Sequence, residues 1–433
     1  MPPHSTPSYT LPNLPPPVEL ETIPVLKALA RANRALAELK GAAKSIPNQG
    51  ILIDTLALQE AKASSEIENI VTTQDELFQA DLFPEGPGSP AAKEVALYRD
   101  ALRLGFHQLR DTQGLITNRT IVEMFQLLKS RDDGFRTQEG TELKNDRTGE
   151  TVYIPPQNRR EIESLMAKLE VFINDDSVSD LDPLIKMAII HHQFESIHPF
   201  PDGNGRIGRI LNVLYLTRTG LLDIPILYLS RHITSTKNDY YRLLQAVRDD
   251  GVWEDWVLYF LEAVATTSQM TLQLIEGLRA QMADYKKRMR ADLRKIYSQD
   301  LLNNLFRHPY TRIDYVMQDL HVSRPTATKY LDQLAESGFV TKHQAGRNNY
   351  YINGPLVVSP GRRRWCCSPR LAQAQVRPNS RSITSPSHTG DWRIQFLFRT
   401  YAICMATRHA TYRSGVRLLC RPSGEAVDRT DQR

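Results

Sequence analysis

The chain has 433 residues, of which 41% are hydrophobic, and a formal net charge of +5. No apolar run of about eighteen or more residues occurs, which argues against a membrane span. The N-terminus lacks the basic, apolar and small-residue sections of a signal peptide. Residues 1–365 contain no cysteine, so we expect a reducing compartment, the cytoplasm.

The net charge combines two different compositions. Residues 361–433 contain 14 Arg, no Lys and 4 acidic residues, a net +10, which leaves 40 basic and 45 acidic residues, or −5, for the rest. All four cysteines also lie in this tail. This composition has three interpretations: a tail that binds nucleic acid, a disordered extension, or the product of out-of-frame translation, which would be non-native. We favour the last.

The N-terminal part of the chain is predicted to be helical after a proline-rich start. Residues 1–17 should be extended or loosely ordered, and helical periodicity begins at Glu19. A second helix is predicted from Ile51 to Ile70. Within it Ser64 and Glu68 are four residues apart and face the same way, as in an ordinary surface pair.

A small β-hairpin is predicted after two further helices at 93–110 and 118–130. Thr148-Gly149-Glu150 lies between short β-prone stretches, of which the second contains Val152, Tyr153 and Ile154. A turn between such stretches is typical of a hairpin.

The segment from His198 to Arg209 is the densest group of functional residue types. An amphipathic helix with Asp182 as N-cap precedes it. Two prolines end that helix, and a second one begins near Gly203–Asn204, with Gly220 as its C-cap.

The start of this second helix is suited to bind an anion. Gly203 and Gly205 let backbone N–H groups approach a ligand closely, at a helix terminus where those groups are unpaired and the dipole favours negative charge. Arg206 and Arg209 are three residues apart and flank the same mouth.

Asp202 and His198 add a metal ligand and a base to this segment. A carboxylate beside phosphates suits Mg²⁺, and an imidazole can take a proton. We reject a dinucleotide fold for the G-x-G-x-x-G pattern of 203–208, because helix and prolines precede it instead of a strand. We also reject zinc, because His191, His192 and His198 match no standard ligand spacing. The segment therefore indicates phosphate chemistry.

Two features follow the second helix. Tyr240 and Tyr241 are adjacent, and packing is the plain interpretation of both. A long charged helix is predicted from Thr267 to Tyr297, with apolar residues close to a heptad seam, as a connector or a dimer contact.

Residues 299–353 are predicted to form a winged helix-turn-helix. Ser323 caps the second helix, and two strands around Ala345-Gly346-Arg347-Asn348 form the wing. In a DNA-binding protein Arg324, Thr328 and Lys329 would enter the major groove while Arg347 met the backbone. A protein-binding winged helix is the other interpretation, because few basic residues lie on this face.

The segment from His198 to Arg209 resembles the signature of Fic-domain proteins, His-Pro-Phe-x-Asp/Glu-Gly-Asn-Gly-Arg-x-x-Arg, at every fixed position. The resemblance implies a mainly α fold, a helical bundle with a small β-hairpin flap, and transfer of AMP from ATP to a Tyr, Thr or Ser hydroxyl of a protein. It implies His198 as the base and Asp202 as the Mg²⁺ ligand. The implied nucleotide-binding residues, whose loop amides and Asn204 side chain contact the phosphates, are Gly203, Asn204, Gly205, Arg206, Ile207, Gly208 and Arg209.

Other segments are similar to further parts of that family. Ser64 and Glu68 match an inhibitory motif, which implies that Glu68 pairs with Arg209 and blocks the γ-phosphate. The hairpin residues 152–154 resemble the flap that holds a target segment by main-chain pairing. The two tyrosines resemble residues that contact adenine, although Arg248 stands where some members have Asn.

We therefore predict an autoinhibited protein adenylyltransferase that uses ATP and Mg²⁺, acts on a target protein or itself, and does not span a membrane. The alternatives are removal of AMP at the same site, and a DNA-binding regulator with a sensory or inactive core. The predicted segments are a proline-rich start (1–17), an N-terminal helical region with the inhibitory helix (18–105), the catalytic core (106–266), a connector helix with possible dimer contacts (267–298), a winged helix (299–355) and an Arg-rich tail (356–433).

Overall fold

The computed structural model describes residues 9–82, 89–145, 148–345 and 348–357. Its helices are α1 (Ile23–Ala43), α2 (Gln49–Ile67), α3 (Gln74–Leu82), α4 (Pro90–Asp111), α5 (Asn118–Lys129), α6 (Arg159–Asn174), α7 (Pro183–Ile197), α8 (Asn204–Arg218), α9 (Leu229–Ser235), α10 (Lys237–Asp250), α11 (Trp253–Asp292), α12 (Gln299–Arg307), α13 (Ile313–Leu320), α14 (Arg324–Glu336) and α15 (Gly354–Val357), with one 3₁₀ turn at Asp176–Val178. Its strands are β1 (Leu143–Lys144), β2 (Thr151–Tyr153), β3 (Tyr310–Arg312), β4 (Thr341–Ala345) and β5 (Asn348–Ile352). The mainly α fold with small antiparallel sheets is confirmed.

The centre of the fold is α7, which leads into the segment from His198 to Arg209. Asp182 caps it by accepting the Leu184 amide, and every residue from Leu184 to Ile197 is buried. The helix is thus buried on all sides, including the polar residues Lys186, Gln193 and Glu195, so the predicted amphipathic character is wrong. It packs against α8, whose C-cap is Thr219, one residue before the predicted Gly220, which follows in the left-handed conformation (φ +71°). This placement of the two helices agrees with the prediction.

The helix α2 is shorter at its C-terminus than predicted. It ends at Ile67, with Glu68 as C-cap. Asn69 then adopts a left-handed conformation (φ +61°), so the predicted extension to Ile70 is wrong.

The N-terminal half of α2 is held in place by Asp54. Its carboxylate accepts hydrogen bonds from Arg103 (2.5 Å) and from Arg307 Nε (2.6 Å). These contacts join α2 to α4 and to α12.

The long helix α11 begins and ends earlier than predicted. It starts at Trp253 instead of Thr267 and stops at Asp292 instead of Tyr297. Its N-terminal half packs along α1 and against α7. The predicted heptad seam is buried within the chain, where Met282, Tyr285 and Met289 join the core of the C-terminal elements. The seam therefore serves internal packing and is not left open for a second copy.

The C-terminal elements run in the order helix, strand, two helices and two strands, from α12 to β5. The strand β5 lies between β3 and β4 in an antiparallel sheet. Ala327, Leu331 and Leu334 are buried, as predicted for the inner side of α14. The strand β3 was not predicted.

Some predictions fall outside the described residues. These are the first part of the proline-rich segment (1–8), the wing residue Arg347 and the tail from 358 onward. Among the helices that the structure describes, none combines the length and the apolar character needed to cross a membrane.

Candidate active site

His198 lies at the end of α7 with its ring mostly enclosed. It is the C-cap of the helix and has φ +50°, a left-handed conformation that a residue with a side chain rarely adopts. Its Nδ1 is surrounded by protein atoms. Burial, and then the nearby Arg136 and Arg248, lowers the pKa of His198 to about 4. The ring is therefore neutral near pH 7, as a base must be.

The loop after His198 is fixed by an aromatic anchor and by its own asparagine. Phe200 is fully buried and stacks on Phe125 with ring centroids 4.1 Å apart. The Asn204 side chain accepts a hydrogen bond from Phe200 N (2.9 Å) and donates one to Phe200 O (2.7 Å). Both ends of this amide thus hold the loop, and these two bonds leave the second N–H of Asn204 Nδ2 for another acceptor. The contact of the Asn204 side chain with phosphate stays a prediction. Gly203 is the N-cap of α8 and has φ +82°.

Arg209 is buried under the end of α2. Its Nη2 lies 2.7 Å from Glu68 Oε1 and also donates to the Ser64 carbonyl (3.0 Å), while its Nε donates to Ser64 Oγ (2.8 Å). The structure thus brings together Ser64, Glu68 and Arg209, as the resemblance implied. A Cβ placed on Gly205 would lie only 2.4 Å from Glu68 Oε1, so Glu68 covers the glycine-lined helix start.

Arg206 and Asp202 lie at the other side of this helix start. Arg206 is buried and pairs with Glu94 of α4 (2.5 Å), and Lys129 of α5 pairs with both Glu94 (3.0 Å) and Asp202 (2.6 Å). Burial opposes the charge of Asp202, but the Lys129 hydrogen bond holds its pKa below the usual value. Asp202 is therefore an ionised carboxylate beside the glycine-lined helix start, with oxygens of the kind that Mg²⁺ prefers.

The Asp202 carboxylate is a suitable ligand for a magnesium ion that arrives bound to phosphates. Within the described residues no group of three or more His, Cys, Asp or Glu side chains could hold a metal. The single carboxylate of Asp202 would thus need phosphate oxygens and waters to complete an octahedral shell, which is how Mg²⁺ usually binds in nucleotide sites.

Gly208 allows α7 and α8 to pack closely beside this site. A Cβ at this position would lie 2.8 Å from Glu195 Oε1 and 3.2 Å from Phe194 Cδ1. Both neighbours are buried, as is the adjacent Ile207. The glycine is therefore required by helix packing.

We expect Gly208→Ala to lower the free energy of unfolding by about 1–3 kcal/mol, because the added methyl group overpacks a buried contact. The matched control is Gly277→Ala in α11, where nothing lies within 4 Å of the added Cβ. That change should raise stability by about 0.5–1 kcal/mol through helix propensity. Urea denaturation of both variants measures this, and a Gly208→Ala protein as stable as the Gly277→Ala protein would contradict the packing account.

The two tyrosines of α10 lie in different environments. Tyr240 is buried and its hydroxyl lies 2.9 Å from His191 Nε2, while His191 Nδ1 contacts Asn212 (3.0 Å). Tyr241 is 44% exposed. Tyr240 therefore belongs to the packed interior, and Tyr241 is the ring nearer to solvent. His192 is buried against Trp253, so both histidines of α7 are packing residues, as predicted.

The hairpin β1–β2 presents two apolar side chains outward. Val152 and Ile154 are 40% and 42% exposed. Tyr153 between them is buried, and its hydroxyl donates a hydrogen bond to the Ser196 carbonyl (2.7 Å). Tyr153 thus fastens the hairpin to α7, and its neighbours face away from the core.

Three family models match consecutive parts of the chain. Residues 26–107 match the Fic/DOC family N-terminal model, residues 109–216 match the Fic/DOC family model, and residues 281–356 match the C-terminal domain of SoFic-like protein adenylyltransferases. Together they cover more than half of the sequence. The chain is a member of the Fic/DOC family.

Individual Fic relatives match the central part of the chain. The protein adenylyltransferases Fic of Drosophila erecta and Drosophila melanogaster are each 28% identical over 159 residues, which are 37% of this chain and 29% of the relative. The chain thus matches less than a third of the length of these relatives. Among solved structures, a Fic family protein from Desulfovibrio desulfuricans is 21% identical over 78% of this chain and 98% of its own (TM-score 0.48). Fic-1 from C. elegans is 22% identical over 60% and 75% (TM-score 0.46).

Several residues around the Fic signature were not predicted. Arg136 donates through its backbone N to the Pro199 carbonyl (2.8 Å) and through Nε to the His198 carbonyl (2.8 Å). Arg248 donates to Ser196 Oγ (3.0 Å), and its guanidinium lies 4.0 Å from the centre of the Tyr153 ring. These two arginines connect the signature loop, α7 and the hairpin. Glu94 and Lys129 were also missed, because no spacing in the sequence relates them to the signature.

Proposed function

We propose that this Fic protein is an autoinhibited adenylyltransferase, which transfers AMP from ATP to a Tyr, Thr or Ser hydroxyl of a target protein or of itself. The observation that carries the proposal is a neutral imidazole, His198, one loop away from a glycine-lined helix start with two buried arginines. Matched relatives are named protein adenylyltransferases. Absence of cysteine from residues 1–365 and use of ATP fit the cytoplasm.

The residues divide the reaction between them. The incoming hydroxyl oxygen forms a bond to the α-phosphorus, the bond from that phosphorus to the α–β bridging oxygen breaks, and pyrophosphate leaves. His198 takes the hydroxyl proton, through Nε2 because Nδ1 is enclosed. The N-terminal amides of α8 face the charge that grows on the phosphoryl oxygens, and Arg206 and Arg209 bind the β- and γ-phosphates.

A magnesium ion held by Asp202 would neutralise charge on the α- and β-phosphates. For the nucleobase we propose contact with Tyr241 instead of an equal role for both tyrosines, because Tyr240 is packed against His191. For the target we propose an extended segment that pairs with the hairpin edge and packs on Val152 and Ile154.

The position of the radioactive label tests the proposed reaction. The Glu68→Gly protein incubated with Mg²⁺ should acquire label from ATP labelled at the α-phosphate and none from ATP labelled at the γ-phosphate. Label from the γ-phosphate would instead indicate phosphoryl transfer. Loss of label from a previously adenylylated target, with wild-type protein and no ATP, would favour the alternative in which the same site removes AMP.

We expect the rate of AMP transfer to show no His198 titration between pH 6 and pH 8. The pKa of His198 is lowered to about 4, so the neutral base form is already complete above about pH 5 and is lost only as the pH falls toward 4. An exposed histidine would titrate near 6.5. Initial rates of the Glu68→Gly protein across this range provide the measurement. A rate that falls tenfold for each pH unit below 6.5 would contradict the assignment.

We propose that residues 299–355 form a winged helix that binds protein more readily than DNA. On the outer side of α14, Arg324 pairs with Asp314 (2.8 Å), and Asp332 pairs with Lys342 (2.7 Å). Affinity for DNA depends on cations that neutralise phosphates, and Arg324 and Lys342 are already paired with carboxylates. The division into a helical N-terminal region (18–105), core (106–266) and connector (267–298) belongs to the same proposal.

A further inference from the structure

Four charged side chains form a chain of ion pairs beside the glycine-lined start of α8. Arg206 Nη1 lies 2.5 Å from Glu94 Oε1, and Lys129 Nζ lies 3.0 Å from that same oxygen. Lys129 Nζ also lies 2.6 Å from Asp202 Oδ2. The three contacts of 3.0 Å or less place Glu94 between the two cations and Lys129 between the two carboxylates. In order of contact they are Arg206, Glu94, Lys129 and Asp202, and a longer contact of 3.7 Å between Arg206 Nη2 and Asp202 Oδ2 closes this series into a ring.

The four paired side chains extend from the interior of the protein to its surface. The Arg206 side chain is 2% exposed, those of Lys129 and Glu94 are 19% and 28% exposed, and that of Asp202 is 64% exposed. The Lys129 stem passes over the turn, because a Cβ on Gly203 would lie 3.5 Å from Lys129 Cδ. The two outer members are the residues to which the proposed function gives the β-phosphate and the metal ion.

We propose that Glu94 and Lys129 are positioning residues that couple metal binding at Asp202 to phosphate binding at Arg206. This inference rests on the proposed function. Without metal, Lys129 is shared between two carboxylates, and Glu94 keeps hold of Arg206. If Asp202 held a divalent cation, the Lys129 ammonium would leave that carboxylate and neutralise Glu94 alone. Arg206 is thereby released toward the phosphate, since an arginine pairs with the carboxylate or the phosphate but not fully with both.

Two conservative substitutions should change nucleotide affinity in opposite directions. Glu94→Gln removes the charge that holds Arg206, so ADP should bind about tenfold tighter in EDTA. Lys129→Met removes the second cation from Glu94. Glu94 then pairs with Arg206 alone and holds it more firmly, so ADP should bind about threefold weaker in EDTA. In both variants Mg²⁺ should tighten ADP binding less than it does in the wild type. In Glu94→Gln the Arg206 side chain is already released, and in Lys129→Met no ammonium is present to release it. Lys129→Arg should restore the coupling.

Isothermal titration of ADP into the full chain, with EDTA and with Mg²⁺, measures these affinities. ADP is the probe because it carries the β-phosphate without the γ-phosphate that Glu68 opposes. Lys93→Met, an exposed lysine next to Glu94 on α4, is the matched control and should leave both affinities unchanged. Thermal unfolding of each variant reports folding, and a purely structural role would not change the ratio of the two ADP affinities.

The possible outcomes separate this inference from the proposed function. Opposite shifts in EDTA together with a reduced effect of Mg²⁺ support the coupling. Shifts in the same direction, or shifts below twofold, overturn it and leave the adenylyltransferase proposal in place. Failure of the wild type to bind ADP with or without Mg²⁺ would overturn both.

Discussion

Replacement of Glu68 by glycine should raise the rate of AMP transfer by about ten- to a hundredfold. Glu68 Oε1 lies 2.7 Å from Arg209 Nη2, and the Arg209 side chain is only 1% exposed. A hydrogen bond between charged groups contributes about 1.5–3 kcal/mol, and about 1.4 kcal/mol corresponds to a factor of ten. Once Glu68 is removed, this interaction is available to the γ-phosphate, and the ATP can be seated for in-line attack.

The neighbouring Glu66 provides a matched control. It lies in the last turn of α2 and is exposed, so Glu66→Gly alters the helix end in a similar way without touching Arg209. Initial rates with α-labelled ATP below saturation should rise for Glu68→Gly and stay near the wild-type value for Glu66→Gly. Equal rates for the two variants would show that a loosened helix, and not the lost carboxylate, controls the enzyme.

The helix–loop–helix around His198 could be predicted because its signals are local. Asp182 caps α7, and prolines and glycines lie between that helix and α8. Such signals act within a few residues of the structure they produce. The same holds for the hairpin at 148–150, where a turn between β-prone stretches was sufficient.

The contacts that complete the site depend on packing between distant elements. Glu68 and Arg209 are 141 residues apart, and Glu94 and Arg206 are 112 residues apart. The first pair was anticipated only through the family resemblance, and the second was not anticipated at all. Nothing in the periodicity of α4 indicates which of its charged residues will face α8.

Two misplaced elements show how tertiary context overrides local patterns. The helix α11 was predicted to start at Thr267, where its composition becomes charged, but the apolar residues of its first half are helical too and are buried against α1 and α7. The strand β3 has three residues and pairs with β5. A strand of that length is too short to display alternation, so only its sheet partner defines it.

Replacement of His198 by alanine in the Glu68→Gly protein should lower the rate of AMP transfer by roughly a hundred- to ten-thousand-fold. This is the range that a positioned general base contributes. No charged phosphate ligand is lost, so ADP should bind with nearly unchanged affinity, and the loss should appear in the catalytic step. His107→Ala, at an exposed position of α4, is the control and should leave the rate unchanged.

The backbone at His198 makes a second variant necessary. With φ +50°, residue 198 carries backbone strain of about 1–2 kcal/mol, and alanine keeps this strain while it removes the packing of the ring, so lost activity could come from a shifted loop. Asparagine tolerates the left-handed conformation better than alanine and cannot act as a base. His198→Asn should therefore keep the stability and the ADP affinity of the parent protein while it loses activity to the same extent as His198→Ala. An active His198→Asn protein would mean that the hydroxyl loses its proton to another group, and the proposed mechanism would then be wrong at its central step.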